Sequence, residues 1–295
     1  MKRRIYTNIC LAAACALAAS AANAFEAPGV LTERARGVVS NSEVKVLVAQ
    51  AEFKTDINPS NVAVASGGGL IPGLIAASQN SSRTKKAEKA IAPIRTALVD
   101  FDVDALAIDT TKAALAQVPW MKPAAVSFSK DASPLGRSGM LDKSAGQVTF
   151  VEYSYDFSPD FSTMRLVARI EVADKASSVA TRGRPEARVS NKNLAYAQRA
   201  TAIIWLSQPG EKIENAQRWA AAEGKAAREG LIKAFGNIQK LLPRTLALSD
   251  ADVQRMADKR NPKSEAGGFA GRVQASSQPG TLLWSDGFIH AEVLR

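Results

Sequence analysis

Apolar and polar positions alternate most regularly between Gln147 and Val172. Val151, Tyr153, Tyr155 and Phe157 interleave with Glu152, Ser154 and Asp156. After Ser158-Pro159-Asp160, Met164, Leu166, Ala168, Ile170 and Val172 interleave with Arg165, Arg169 and Glu171. A period of two sends successive side chains to opposite faces, so the pattern predicts an antiparallel hairpin with one buried face. Turning at Pro159-Asp160 pairs Ser158 with Phe161, sets Tyr153 opposite Leu166 and leaves Arg169 diagonal to Glu152. Weaker strand signals lie at Glu43 to Phe53 and Leu194 to Leu206. A second hairpin is predicted over Thr281 to Leu294, turning at Asp286-Gly287.

Helical spacing appears elsewhere. Ile91, Ile94, Arg95 and Leu98 recur at three and four, with Pro93 expected to bend or break that helix. Asp100 to Val118 reads as helix, with Asp109-Thr110-Thr111 as a cap dividing it into two. Prolines and glycines from Pro119 to Gly146 suggest an irregular connection and a sub-boundary near 119–146. Ile213 to Leu242 predicts a long helix carrying Trp219, Leu231, Phe235, Ile238 and Leu242 on one face, stopped by Pro243. Together these elements predict an α+β fold: an antiparallel sheet built from hairpins, with long helices packed on one face. No βαβ unit with a glycine-rich phosphate loop is evident, which argues against a doubly wound sheet. The expected organisation is a signal peptide over 1–24, a lead-in over 25–42 and one α+β domain over 43–295.

Composition changes the picture at the N-terminus. Lys2, Arg3 and Arg4 precede an alanine-rich apolar stretch that ends on Ala22-Asn23-Ala24, the order of a secretory signal peptide. Export to the periplasm or the inner face of the outer membrane of a Gram-negative bacterium is the expectation. Removing residues 1–24 takes away three basic residues and no acidic one, lowering the formal charge from +10 to +7. Cys10 and Cys15 both lie in that segment, so the mature chain has no disulfide, thiolate metal site or cysteine nucleophile. A rival reading makes Leu11-Ala12-Ala13-Ala14-Cys15 a lipobox with Cys15 lipidated, but its leucine sits one residue too far from the cysteine. No stretch of the mature sequence is long and apolar enough for a transmembrane helix.

Candidate chemistry is sparse. His290 is the single histidine and shares a strand face with Phe288 and Glu292, too few ligands for a metal site or a catalytic dyad. No G-x-S-x-G elbow is present, and Ser82-Arg83-Thr84-Lys85 and Ser127-Phe128-Ser129-Lys130 lack the companion motifs of penicillin-binding enzymes. Gly67-Gly68-Gly69 is followed by no Gly-Lys-Ser/Thr, so it is no phosphate loop. No cofactor is implied. Two segments remain as candidate contact sites. Ile57 to Ser82 carries no charge, and Gly69, Leu70, Gly73 and Leu74 within it offer either a partner or membrane contact or a buried core helix. Arg182, Arg184 and Arg188 lie in a basic loop suited to an anion, without the interleaved aromatics that nucleic-acid stacking requires.

The stretch VEYSYDFSPDFSTMRL, Val151 to Leu166, resembles a segment shared by exported proteobacterial proteins of unassigned function. The resemblance covers the central hairpin, implies an envelope location and implies no activity. The expectation is a non-enzymatic binding or assembly protein, its partner an envelope protein, an anionic envelope polymer or a second copy. The alternative is a carboxylate-dependent hydrolase of an envelope polymer, for which Asp100, Asp102 and Asp104 are the nearest acidic cluster. Intact mass of the exported chain tests the first expectation. The mature protein should begin at Phe25, and an acylated species beginning at Cys15 would reverse it.

Overall fold

In the computed structural model the described residues are 30–31, 33–39, 41–55, 85–175, 194–257, 263–266, 269–273, 281–284 and 287–294. The first half contains helix α1 (Glu33–Val39), strands β1 (Glu43–Leu47) and β2 (Lys54–Thr55), helix α2 (85–97), helix α3 (Val103–Leu115), strand β3 (Val126–Ser129) and helix α4 (Pro134–Lys143). Strands β4 (Gln147–Phe157), β5 (Thr163–Asp174) and β6 (Leu194–Leu206) follow. Then come helices α5 (Lys212–Ala247) and α6 (Asp250–Ala257), and strands β7 (Lys263–Ala266), β8 (Phe269–Val273), β9 (Thr281–Trp284) and β10 (Gly287–Leu294).

The described strands form one sheet in the order β3-β1-β4-β5-β6-β10-β9-β8-β7, with β2 also paired to β4. The sheet is mixed, which corrects the expectation of an antiparallel one. The centre, β4-β5-β6, is antiparallel, but β1 runs parallel to both β3 and β4, and β10 parallel to β6. The stretch expected to be an irregular connection holds β3 and α4, and β3-α4-β4 is a crossover between parallel strands. Its strand has only four residues, and its helix opens on Pro134 with Ser133 capping Gly136 N, so turn-forming residues concealed both elements.

The central hairpin is present with its register moved by two. Phe157 pairs with Met164, Tyr153 with Ala168, and Glu152 lies directly opposite Arg169. A shift of two keeps every side chain on its expected face, whereas a shift of one would have exchanged the faces. The longer loop has a cause. The Asp160 carboxylate accepts from the Ser158 hydroxyl and from both the amide and the hydroxyl of Ser162. That set of bonds folds Phe161 inward at a φ of 57°, with its ring buried. The second hairpin also exists, β9 against β10, with Gly287 at φ 132° already paired to Trp284, so that Gly287 belongs to the strand and not, as expected, to the turn.

On one face of β4, Val151, Tyr153, Tyr155 and Phe157 are buried beside Leu166, Ala168 and Ile170 of β5 and Ala200, Ala202 and Ile204 of β6. Helices cover this face. Thr111 of α3 spends its hydroxyl proton on the Ala107 carbonyl, so Tyr153 donates to Thr111 at 2.8 Å, while Phe235 of α5 lies 5.3 Å from the Tyr153 ring. Phe53 lies 4.6 Å from the ring of Tyr155 and 4.7 Å from that of Phe157. On the opposite face β4 presents Glu152, Ser154 and Asp156, Ile203 of β6 and Ile289 of β10 are buried, and α4 covers one end. There Leu47, Leu141, Val148 and Phe150 form a small second core, and Arg137 is buried against Glu171 and Glu152 with its guanidinium 4.6 Å from the Phe150 ring.

Three further expectations are corrected. Helix α2 continues through Pro93. Helix α3 is a single helix begun by Asp102, whose carboxylate accepts from Ala105 N, and Asp109 does not divide it. Helix α5 passes Pro243 and ends at Ala247, where Arg36 donates to the Ala247 and Leu248 carbonyls. Its real break comes earlier, at Ala221 to Gly224.

Trp219 ties the first half of α5 to the central hairpin. It is fully buried, its Nε1 donates to the Phe161 carbonyl at 2.7 Å, and its ring lies 5.2 Å from Phe157. Trp219→Ala should destabilise the fold by about 3–5 kcal/mol. Trp219→Phe, which keeps most of the apolar surface but orphans the carbonyl, should cost about 1–3 kcal/mol. Urea unfolding checks both: a Trp219→Phe loss near zero would mean that the hydrogen bond contributes nothing, and losses equal for the two variants that the ring retained by phenylalanine contributes nothing.

Candidate functional site

A groove of about 820 Å³ opens between α2 and the first half of α5. Lys86, Lys89, Ala90 and Pro93 line it from α2. Lys212, Ile213, Ala216, Gln217, Ala220 and Ala221 line it from α5, with Glu211 at the edge. The helical period explains both walls. Lys86, Ala90, Pro93 and Ala97 succeed one another at four, three and four residues, and so do Lys212, Ala216 and Ala220 at four. Each helix therefore presents a stripe that starts with lysine and continues with small or apolar residues. The outward stripe of α2 is distinct from its core stripe of Ile91, Ile94 and Leu98, all buried.

Two sets of contacts hold the α5 wall. On its inner side, Asn215 is fully buried, donating to the Asp160 and Gly210 carbonyls at 3.0 and 2.9 Å and accepting from Gly210 N at 2.7 Å. Trp219 anchors the next turn. Ile213, in contrast, is 66% exposed at the groove. At the far end, the helix breaks. Ala221 is extended, and Ala222, Glu223 and Gly224 are left-handed at φ 49°, 56° and 73°. Only glycine takes that conformation without cost, and each of the other two residues stores about 1–2 kcal/mol.

Arg228 holds the break in place. Its Nη2 donates to the Ala97 carbonyl at 2.6 Å, its Nε donates to the Glu223 carbonyl at 3.1 Å, and it pairs with Asp100. The hydrogen bond from Arg228 keeps the exposed Asp100 carboxyl below its ordinary pKa. Gly224 sits so close to α2 that a Cβ there would lie 2.9 Å from the Cβ of Ala97. The groove therefore closes at its Ala97–Gly224 end.

The second polar cluster lies on β10 under the later turns of α5. Glu292 accepts from Asn237 Nδ2 at 3.0 Å and Lys233 Nζ at 3.3 Å, and His290 Nε2 lies 3.6 Å from it. Burial lowers the His290 pKa below its ordinary 6.5, with Glu292 opposing and Lys240 and Arg244 adding to the depression. The cluster satisfies a half-buried carboxylate, and its residues do not line the groove between α2 and α5. Among the described residues, no group of three His, Cys, Asp or Glu side chains converges to hold a metal ion.

The acidic candidates separate. Asp100 pairs with Arg228, Asp102 caps α3, and Asp104 accepts from Lys130 Nζ at 2.6 Å. Ser127 and Lys130 lie along and just past strand β3, so the spacing that would bring amine to hydroxyl on a helix does not do so here. Gly69, Leu70, Gly73 and Leu74 and the basic Arg182, Arg184 and Arg188 lie outside the described residues. Sequence reasoning did not single out the groove residues. Alanine and proline register weakly as apolar, and lysines at a helix start look like a solvated end; the four-and-three spacing from Lys86 was the available signal.

Replacing Ala222 with glycine should stabilise the protein by about 1 kcal/mol, because the left-handed conformation costs glycine nothing. An alanine in a helix interior would instead lose about that amount on the same change. The sign of the shift in urea midpoint distinguishes them. Among the described residues no helix is long and apolar enough to cross a membrane. No protein-family model, curated protein or solved structure matches this chain, and the groove's chemistry is accordingly defined by its own side chains.

Proposed function

We propose that this chain is a non-enzymatic binding protein of the Gram-negative cell envelope, exported to the periplasm or the inner face of the outer membrane. Its ligand site is the groove between α2 and the first half of α5. In this reading the long helices form one layer over the hairpin-built centre of the sheet, and the groove is a seam in that layer. The observation that carries the proposal is the groove's composition: three lysines, one glutamate and one glutamine among alanine, proline and isoleucine. Pockets of about 300–1,000 Å³ with apolar walls and a few polar groups are the usual form of small-ligand sites. The strained break that closes one end supports the same reading, since backbone strain is concentrated at functional positions.

Binding is favoured over hydrolysis by the carboxylates. Cleaving a glycosidic bond takes two carboxyl groups flanking one position, and Asp100, Asp102 and Asp104 serve three separate structural contacts. The net excess of lysine suits an anionic partner, the class expected of an envelope polymer or lipid.

The test compares protein recovered from envelope fractions under non-denaturing conditions. Intact-mass measurement should find wild type carrying a bound non-protein species that Ala220→Trp lacks, with circular dichroism unchanged in the variant. The same added mass above the bare chain in both recovered proteins would remove the groove as the site.

A further inference from the structure

We infer that the groove takes a single-chain anionic amphiphile, its charged head held among Lys86, Lys89 and Lys212 and its hydrocarbon chain laid along Ala90, Pro93, Ala216 and Ala220. This rests on the groove being the ligand site. It adds a ligand class, and it follows from how charge is distributed along the groove.

The Ala97–Gly224 approach and the shared lining imply that helix α2 and the first half of α5 run side by side in the same sense. Their later ends meet where Ala97 touches Gly224, and their earlier ends, Lys86 and Lys212, line the same groove. That places the three cations at one end, with Glu211 the one lining carboxylate beside them. Toward the other end the walls are Ala90, Pro93, Ala216, Ala220 and Ala221, with Gln217 the one polar side chain among them. Lys86 and Lys89 are exposed, and the neighbouring carboxylates Glu52 and Glu88 are taken by Arg95. Lys212 Nζ lies 5.5 Å from the Phe161 ring, a contact that leaves its hydrogen-bonding capacity for a ligand. From Lys212 to Ala220 the wall extends about 12 Å at 1.5 Å per residue, the length of a medium acyl chain. The Ala97–Gly224 contact stops the groove there. A helix from a partner protein is about 10–12 Å across with its side chains, too wide for a seam of this volume beyond a single turn.

Such a ligand has two separable parts, and each is tested alone. Calorimetric titration of the purified mature chain with dodecanoate, below its micelle-forming concentration, should show saturable one-to-one binding. Acetate, which has the head without the chain, should show none. Dodecyltrimethylammonium, which has the same chain with a cationic head, should bind at least about tenfold more weakly, a difference of about 1.4 kcal/mol. Lys89→Glu, at an exposed position, should weaken dodecanoate by about tenfold with the fold unchanged. Ala220→Trp should abolish dodecanoate binding and retain octanoate, because it shortens the chain-binding run and leaves the lysines in place.

Acetate binding as tightly as dodecanoate would reduce the site to an anion patch and overturn the inference. Equal binding of the cationic amphiphile would reduce it to an apolar patch, and absence of dodecanoate binding would overturn it outright. In that last case a bound species of another class in the envelope-recovered wild type would leave the groove as the ligand site, and its absence would remove both readings. Comparison of dodecanoate with a lysophosphatidylglycerol of the same chain length distinguishes a free carboxylic acid from a membrane-derived phosphodiester as the natural source of the head group.

Discussion

The buried hydroxyl contact between Tyr153 and Thr111 is the point at which sheet and helices are locked together. Tyr153 sits at the middle of β4, and its ring has no exit from the core, so its hydroxyl must find a partner inside. Thr111 supplies it from α3. Burial pushes the tyrosine pKa up from its ordinary value, which keeps the hydroxyl protonated and able to donate across the physiological range. Phe235 of α5 lies against the same ring. One side chain thereby sets the positions of two helices relative to the central strand.

Around this contact, the two faces of the sheet solve different problems. The face carrying Tyr153 is apolar along three adjacent strands and needs extended cover, which α2, α3 and α5 provide. On the other face, α4 covers Phe150 and brings Arg137 down onto Glu171 and Glu152. Burying that guanidinium is costly in desolvation, and removal of one partner would leave an unpaired internal charge. The cluster accordingly contributes less to net stability than to fixing where α4 can sit.

The break in α5 connects fold to function. An unbroken helix would carry its first turns away from the Asp160 turn. Two non-glycine residues in left-handed backbone redirect the chain, and Arg228, Trp219 and Asn215 supply the contacts that offset their strain. The redirected segment lies beside α2 at a distance that leaves a seam between them, closed at Gly224 and lined by small residues because larger ones would fill it. The groove is a consequence of the same contacts that stabilise the hairpin turn.

Much of the central sheet was legible in the chain. Alternation in β4 and β5 determined which side chains face inward, and the apolar spacing near Ile91, Ile94 and Leu98 and near Leu231, Phe235 and Ile238 determined which helix faces are buried. These properties depend on local periodicity alone, so sequence suffices for them. Parallel pairing, the register of the hairpin and the crossover through β3 and α4 depend on contacts between residues distant in the chain, and turn-rich composition concealed them. The candidate site was least legible. Lys86 and Lys212 are 126 residues apart, and Ala90 or Ala220 alone carries no signature of binding. Which lysines meet around which alanines was decided only when Arg228 and Trp219 seated the broken helix against α2, because a groove is a property of two surfaces and of neither sequence segment separately.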